Sequence, residues 1–104
     1  MFTLPDLPYA YDAFDQYISK DIMQLHHDKH HRTYVDKLNA ALATEPSLTG
    51  RSIEELLSGV NDLPQSVQAA VRNHGGGHYN HSLFWQWMSP DGGGQPTGEL
   101  LARI

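Results

Sequence analysis

Residues 26–42 read HHDKHHRTYVDKLNAAL, and residues 73–85 read NHGGGHYNHSLFW. At about 100° per residue along a helix, His26, His27, His30, His31, Tyr34, Val35, Leu38, Ala41 and Leu42 share one half of the cylinder. Asp28, Lys29, Arg32 and Asp36 take the other half, and Lys37 sits at the edge of the apolar side. His26, His30 and Tyr34 form one i, i+4, i+8 ridge, and His27 with His31 the next. In the second stretch His74, His78, His81 and Trp85 lie on one stripe with Val67, Ala70, Val71 and Met88. Two antiparallel helices of this kind turn their histidine ridges toward each other. The fold expected from the residues themselves is all-α.

The flanking residues supply the boundaries. Pro5 and Pro8 forbid a regular helix in residues 1–18, which read as an irregular lead-in whose Leu4, Leu7, Tyr9, Tyr11, Phe14 and Tyr17 pack across the helix pair. Ser19 or Asp21 caps the first helix, which runs to about Ala43 before Glu45-Pro46 ends it. After a loop over 44–51, Ser52 with Glu55 is a capping-box signature for a short helix through Leu57. Asp62-Leu63-Pro64 opens the next helix, with Pro64 in its first turn, and the apolar pattern persists to Met88. Gly75-Gly76-Gly77 inside that helix should cost about 2–3 kcal/mol against alanine, so the helix needs close backbone approach there or is locally distorted. Residues 89–98, SPDGGGQPTG, are a turn region. The expected division is a hairpin domain over 1–90 and a linker with the start of a further domain over 91–104. Thr97, Glu99 and Leu100 look like a new helix start, but a single turn to Ile104 is not stable alone, so the chain reads as unfinished.

Composition narrows the chemistry. The chain has 104 residues, Lys+Arg 7, Asp+Glu 12, His 7, no cysteine and a formal net charge of −5. Without cysteine there are no disulfides, thiolate zinc sites, iron–sulfur clusters or cysteine nucleophiles. The acidic balance argues against duplex DNA or an anionic membrane as the main partner. No apolar run is long enough to span a bilayer, and MFTLPDLPYAYDAF lacks the basic and apolar regions of a signal peptide. A cytoplasmic setting with neither nucleic-acid nor membrane partner is the default expectation.

Taken singly, each histidine reads as a core residue. Taken together, several half-buried titratable rings on two facing helices need partners, and a bound metal would supply one. Neither ridge carries an inward carboxylate, so the histidines alone do not complete the mixed His/carboxylate set that a redox metal prefers.

The stretches LPDLPYAYDAF, HHDKHHRTYVDKLNAAL, RNHGGGHYNHSLFW and SPDGGGQPTGEL, in this order, resemble the N-terminal half of iron/manganese superoxide dismutases, and the resemblance covers essentially the whole chain. It implies a long antiparallel helical hairpin here, within a two-domain α plus α/β enzyme whose C-terminal α/β domain supplies a further Asp and His. Carried over residue by residue, it implies His26 and His81 as metal ligands. His30 and Tyr34 would be catalytic residues lining the substrate funnel, and Trp85 would pack beside the ligands. His27, His31, His74 and His78 match positions with packing or hydrogen-bonding roles. Gly77 stands where iron-type members tend to carry a glutamine, so manganese is favoured over iron as the ion. The implied substrate is superoxide, in a homodimer or homotetramer with one ion per complete subunit. With two protein ligands, this chain alone should bind metal weakly and dismutate little. The alternative is a non-catalytic helical module that keeps the hairpin for dimerisation or partner binding. A zinc hydrolase would need a third ligand and a general base that the ridges do not offer.

Overall fold

A computed structural model describes residues 1–104, with helices and turns and no strand. α1 (Lys20–Gln24), a π-helical stretch (Leu25–His31) and α2 (Arg32–Leu42) run on without a break. Ser19 caps α1, its side chain accepting from the Ile22 N–H at 3.3 Å. After a 3₁₀ turn (Pro46–Leu48) comes α3 (Ile53–Ser58), where the capping box is complete. The Ser52 N–H donates to Glu55 Oε2 at 2.9 Å and the Glu55 N–H to Ser52 Oγ at 3.1 Å. A second 3₁₀ turn (Val60–Asp62) leads to α4 (Gln65–Ala70), a π-helical stretch (Val71–Gly75) and α5 (Gly76–Trp87), again continuous. Pro64 caps α4 from outside its first turn, at ψ 133°, one position earlier than its sequence suggested.

Side-chain partners step up one long helix as they step down the other: His26 meets His81, His31 meets His78 and Tyr34 meets His74. The pair is therefore antiparallel. One apolar cluster, Leu38, Leu48, Leu56, Leu63, Val67 and Val71, closes the end where α4 packs on α2 and α3 packs on the second π-helical stretch. A second, Phe14, Met23 and Trp85, closes the other end. The buried histidines lie between them along the hairpin.

The lead-in stays irregular, as its prolines require, yet it is tied down at four points. Asn39 exchanges two hydrogen bonds with the Phe2 backbone, at 2.9 and 2.8 Å. Tyr9 donates its hydroxyl to the Trp85 carbonyl at 2.9 Å. His27 donates from Nε2 to the Pro5 carbonyl at 2.7 Å, while its Nδ1 meets Asp28 Oδ1, also at 2.7 Å. Tyr11 donates to the same carboxylate at 2.6 Å. That bond pushes the Tyr11 phenol up to about 12 and, with the His27 contact, holds the Asp28 carboxyl below its usual range.

The π stretches correct the uniform helical wheel. Bonding of the Arg32 N–H to the His27 carbonyl, five residues back, widens the turn. Of the four histidines placed on the inward half, His27 and His31 are buried, His26 is half-buried and His30 is exposed. The second stretch ends at Gly75, where the glycines foretold either distortion or close approach; both occur. Gly75 packs under Ile53, Leu57 and Leu38, and a Cβ on it would meet Ile53 Cδ1 at 3.3 Å. Gly76 faces nothing within 4 Å and has helical torsions. Gly76→Ala should therefore stabilise the chain by about 1 kcal/mol through helix propensity alone, measurable as a raised urea midpoint. A lowered midpoint would show an unseen neighbour.

Beyond α5 the chain passes through Gly93 and Gly94 at positive φ to α6 (Gly98–Arg103). Leu100, Leu101 and Ile104 are exposed there.

Candidate functional site

His26, in the first π stretch, and His81, on α5, face each other across the hairpin with their Nε2 atoms 3.0 Å apart. The tautomer of His81 follows from its other nitrogen: Nδ1–H donates to the Gly77 carbonyl at 2.8 Å, which leaves Nε2 as a bare lone pair. His26 then supplies the one proton between the two rings. Burial, followed by the neighbouring His81 and His30 rings, lowers the His26 pKa and keeps its ring neutral. Once the His26 hydrogen sits on Nδ1 instead, two neutral imidazole nitrogens converge on one point, a donor set that suits a divalent metal ion. An ion held by both rings would take the place of the hydrogen between the two Nε2 atoms. No group of three or more His, Cys, Asp or Glu side chains is placed to hold an ion.

The pair opens onto a cavity of about 380 Å³ lined by Ile22, Leu25, His26, His30, Tyr34 and His81. All four residues singled out by the resemblance thus border one space. The His30 ring stands edge-on to His26 with centroids 6.1 Å apart, and the Tyr34 ring lies 5.2 Å from His81. Tyr34 is seated against the backbone of Gly77: a Cβ there would fall 2.5 Å from its Cδ1. That contact explains the third glycine and fixes the ring beside His81. A neighbouring cavity of about 280 Å³ shares His30 and Tyr34 and adds Lys29, Thr33, Lys37 and His74. Nδ1 of His74 is buried without a hydrogen-bond partner.

The remaining histidines turn elsewhere. His27 anchors the lead-in, and His31 and His78 are buried. Trp85, 1 % exposed, sets its indole against His26, centroids 4.9 Å apart and planes at 75°. The apolar rim residues Ile22 and Leu25 had no signal in the sequence, because an exposed aliphatic side chain on a helix is ordinary.

Residues 1–89 match the family model described as "Iron/manganese superoxide dismutases, alpha-hairpin domain". The chain belongs to the iron/manganese superoxide dismutases. It is 52 % identical over 103 residues to a superoxide dismutase (Mn) of Listeria monocytogenes serovar 1/2a, covering 99 % of this chain and 51 % of that protein. To superoxide dismutase (Mn) 2 of Bacillus anthracis it is 52 % identical over 103 residues, covering 99 % of this chain and 50 % of that one. To superoxide dismutase (Mn) 3 of Leptolyngbya boryana it is 50 % identical over 101 residues, covering 97 % and 42 %. The chain spans about half the length of the curated relatives it matches. Membership of this dismutase family implies a manganese or iron ion, and no helix is long and apolar enough to cross a membrane.

Proposed function

We propose that this protein serves superoxide dismutation at a mononuclear manganese site, with iron as the alternative ion, and that this chain supplies His26 and His81 as two of the protein ligands. The observation that carries the reading is the convergence of the two Nε2 atoms, 3.0 Å apart, at the wall of an open cavity edged by His30 and Tyr34. The Mn names of the relatives support manganese. In the same proposal residues 1–90 are the hairpin domain, and 91–104 lead into a C-terminal α/β domain bringing the remaining Asp and His. One ion serves each complete subunit of a homo-oligomer.

Two superoxide anions and two protons give one dioxygen and one hydrogen peroxide. The electron exchange between the two anions is the chemistry that a bound manganese or iron ion supplies. The chain's own contribution is placement and protons. The Gly77 carbonyl orients His81 through Nδ1–H. Tyr34 and His30 hold exchangeable protons at Oη and on the imidazole, on the cavity that a small anion must cross. Ile22 and Leu25 narrow that cavity with hydrocarbon.

Binding at two imidazoles should be weak and reversible, so an equilibrium measurement suits it. Mn²⁺ added in substoichiometric amounts to the ¹⁵N-labelled chain should broaden signals centred on His26 and His81. His81→Ala should remove that broadening with helicity unchanged, and lowering the pH should weaken it as the imidazoles protonate. Broadening centred on the carboxylates, or unchanged in His81→Ala, would sink the assignment.

A further inference from the structure

His31 and His78 are buried between the helices and belong to neither the cavity nor the lead-in clamp. Their nitrogens nonetheless form one directed chain with Trp85. The indole Nε1–H, a donor only, donates a hydrogen bond to His31 Nδ1 at 3.0 Å. His31 must then carry its hydrogen on Nε2, which donates to His78 Nδ1 at 2.8 Å. Both rings are neutral, as this order requires. Burial foremost, and then the neighbouring histidines, lowers His31 to about 3, and burial with His81 lowers His78.

The chain ends on the face of the site. Trp85 packs edge-to-face on His26 at 4.9 Å, and its backbone carbonyl is held by Tyr9. Its only donor is engaged by His31, so it presents hydrocarbon alone to His26. Without that acceptor the buried indole N–H would be left unpaired, which favours a shifted ring, and the His26 ring rests on it.

We infer that His31 is a positioning residue for the metal centre: by accepting the Trp85 indole N–H, itself oriented by His78, it holds the wall that aims His26 Nε2 at His81. The inference rests on the metal-site reading above, and its test separates the two. His31→Phe keeps a planar ring and removes the acceptor. His31→Gln keeps a carbonyl oxygen that can accept from the indole.

In the ¹⁵N-labelled full chain without metal, His31→Phe should speed solvent exchange of the Trp85 indole N–H at least about tenfold and move the His26 ring signals. The exposed Trp87 serves as an internal standard. With Mn²⁺, the concentration giving half-maximal broadening at His81 should rise about tenfold, the scale typical of residues that orient a metal ligand. His31→Gln should return all three to within about threefold of the parent. Faster indole exchange with His26 and the Mn²⁺ midpoint unmoved would reduce His31 to a packing residue and overturn the inference. So would a His31→Gln chain that is helical but behaves like His31→Phe. If the parent shows no His81-dependent Mn²⁺ effect, the metal-site reading falls, and the metal-free His26 shift still decides whether His31 positions that ring. Should His31→Phe not fold, His78→Leu decides it by freeing the His31 Nε2–H. Trp85 and His26 signals should then move in the same direction, and their staying put overturns the inference.

Discussion

Trp85→Ala is expected to lower the unfolding free energy of the chain by about 3–5 kcal/mol. The indole is 1 % exposed and is the largest fully buried side chain. It closes the cluster with Phe14 and Met23, and Leu7, Tyr9 and Met88 pack around it. Truncation opens a cavity there, removes the edge on which His26 rests and leaves His31 Nδ1 without its donor. A domain of this size has about 5–15 kcal/mol in total, so the variant should stand near the edge of folding at physiological temperature. Trp85→Phe should lose less, because the ring volume is largely kept; the orphaned His31 nitrogen accounts for about 1–3 kcal/mol. Urea unfolding followed by far-ultraviolet circular dichroism gives both values. Equal losses for Ala and Phe would show that the hydrogen bond, rather than the volume, dominates. A loss under about 1 kcal/mol for Ala would mean the two ends of the hairpin close without this residue.

Gly77→Ala is the second large effect, and its sign is opposite to that of its neighbour. Alanine gains about 1 kcal/mol of helix propensity at either position. At Gly76 nothing opposes the gain, whereas at Gly77 the new methyl would stand 2.5 Å from Cδ1 of Tyr34, and 2.7 Å from both Cγ and Cε1. The ring cannot yield by a small swing of its far end, because the contact reaches back to Cγ, and overpacking of this kind costs about 1–3 kcal/mol. The two alanine variants should therefore differ by about that amount, which in a domain this small is about 4–8 °C in Tm per kcal/mol. The displaced ring also leaves the position 5.2 Å from His81. The Tyr34 ring signals should accordingly move in Gly77→Ala and stay in place in Gly76→Ala. Equal melting temperatures would show that Tyr34 has room to retreat and that Gly77 is not its seat.

Much of this molecule could be read from residue order. Local chemistry acts over a few positions, so Ser19, the Ser52/Glu55 box, Pro5, Pro8 and Pro46 place the helix boundaries, and the apolar period assigns the faces of the two long helices. The histidine ridges and the need for close approach or distortion near Gly75–Gly77 follow from the same period and from the rarity of helical glycine. The period assigns a face but neither the axial offset of one helix against another nor a local widening of the turn. Hence the uniform wheel placed His30 inward, and it could not say which imidazole on one ridge meets which on the other. Those choices come from packing across the hairpin. Gly75 lets Leu38, Ile53 and Leu57 approach, and the π stretches add a residue to a turn on each helix. The offset that results pairs His26 with His81 and His31 with His78. Residue types and spacing were enough to gather the imidazoles on facing helices, but the side-chain volumes between those helices determine which two nitrogens converge, because close packing admits one offset and excludes its neighbours.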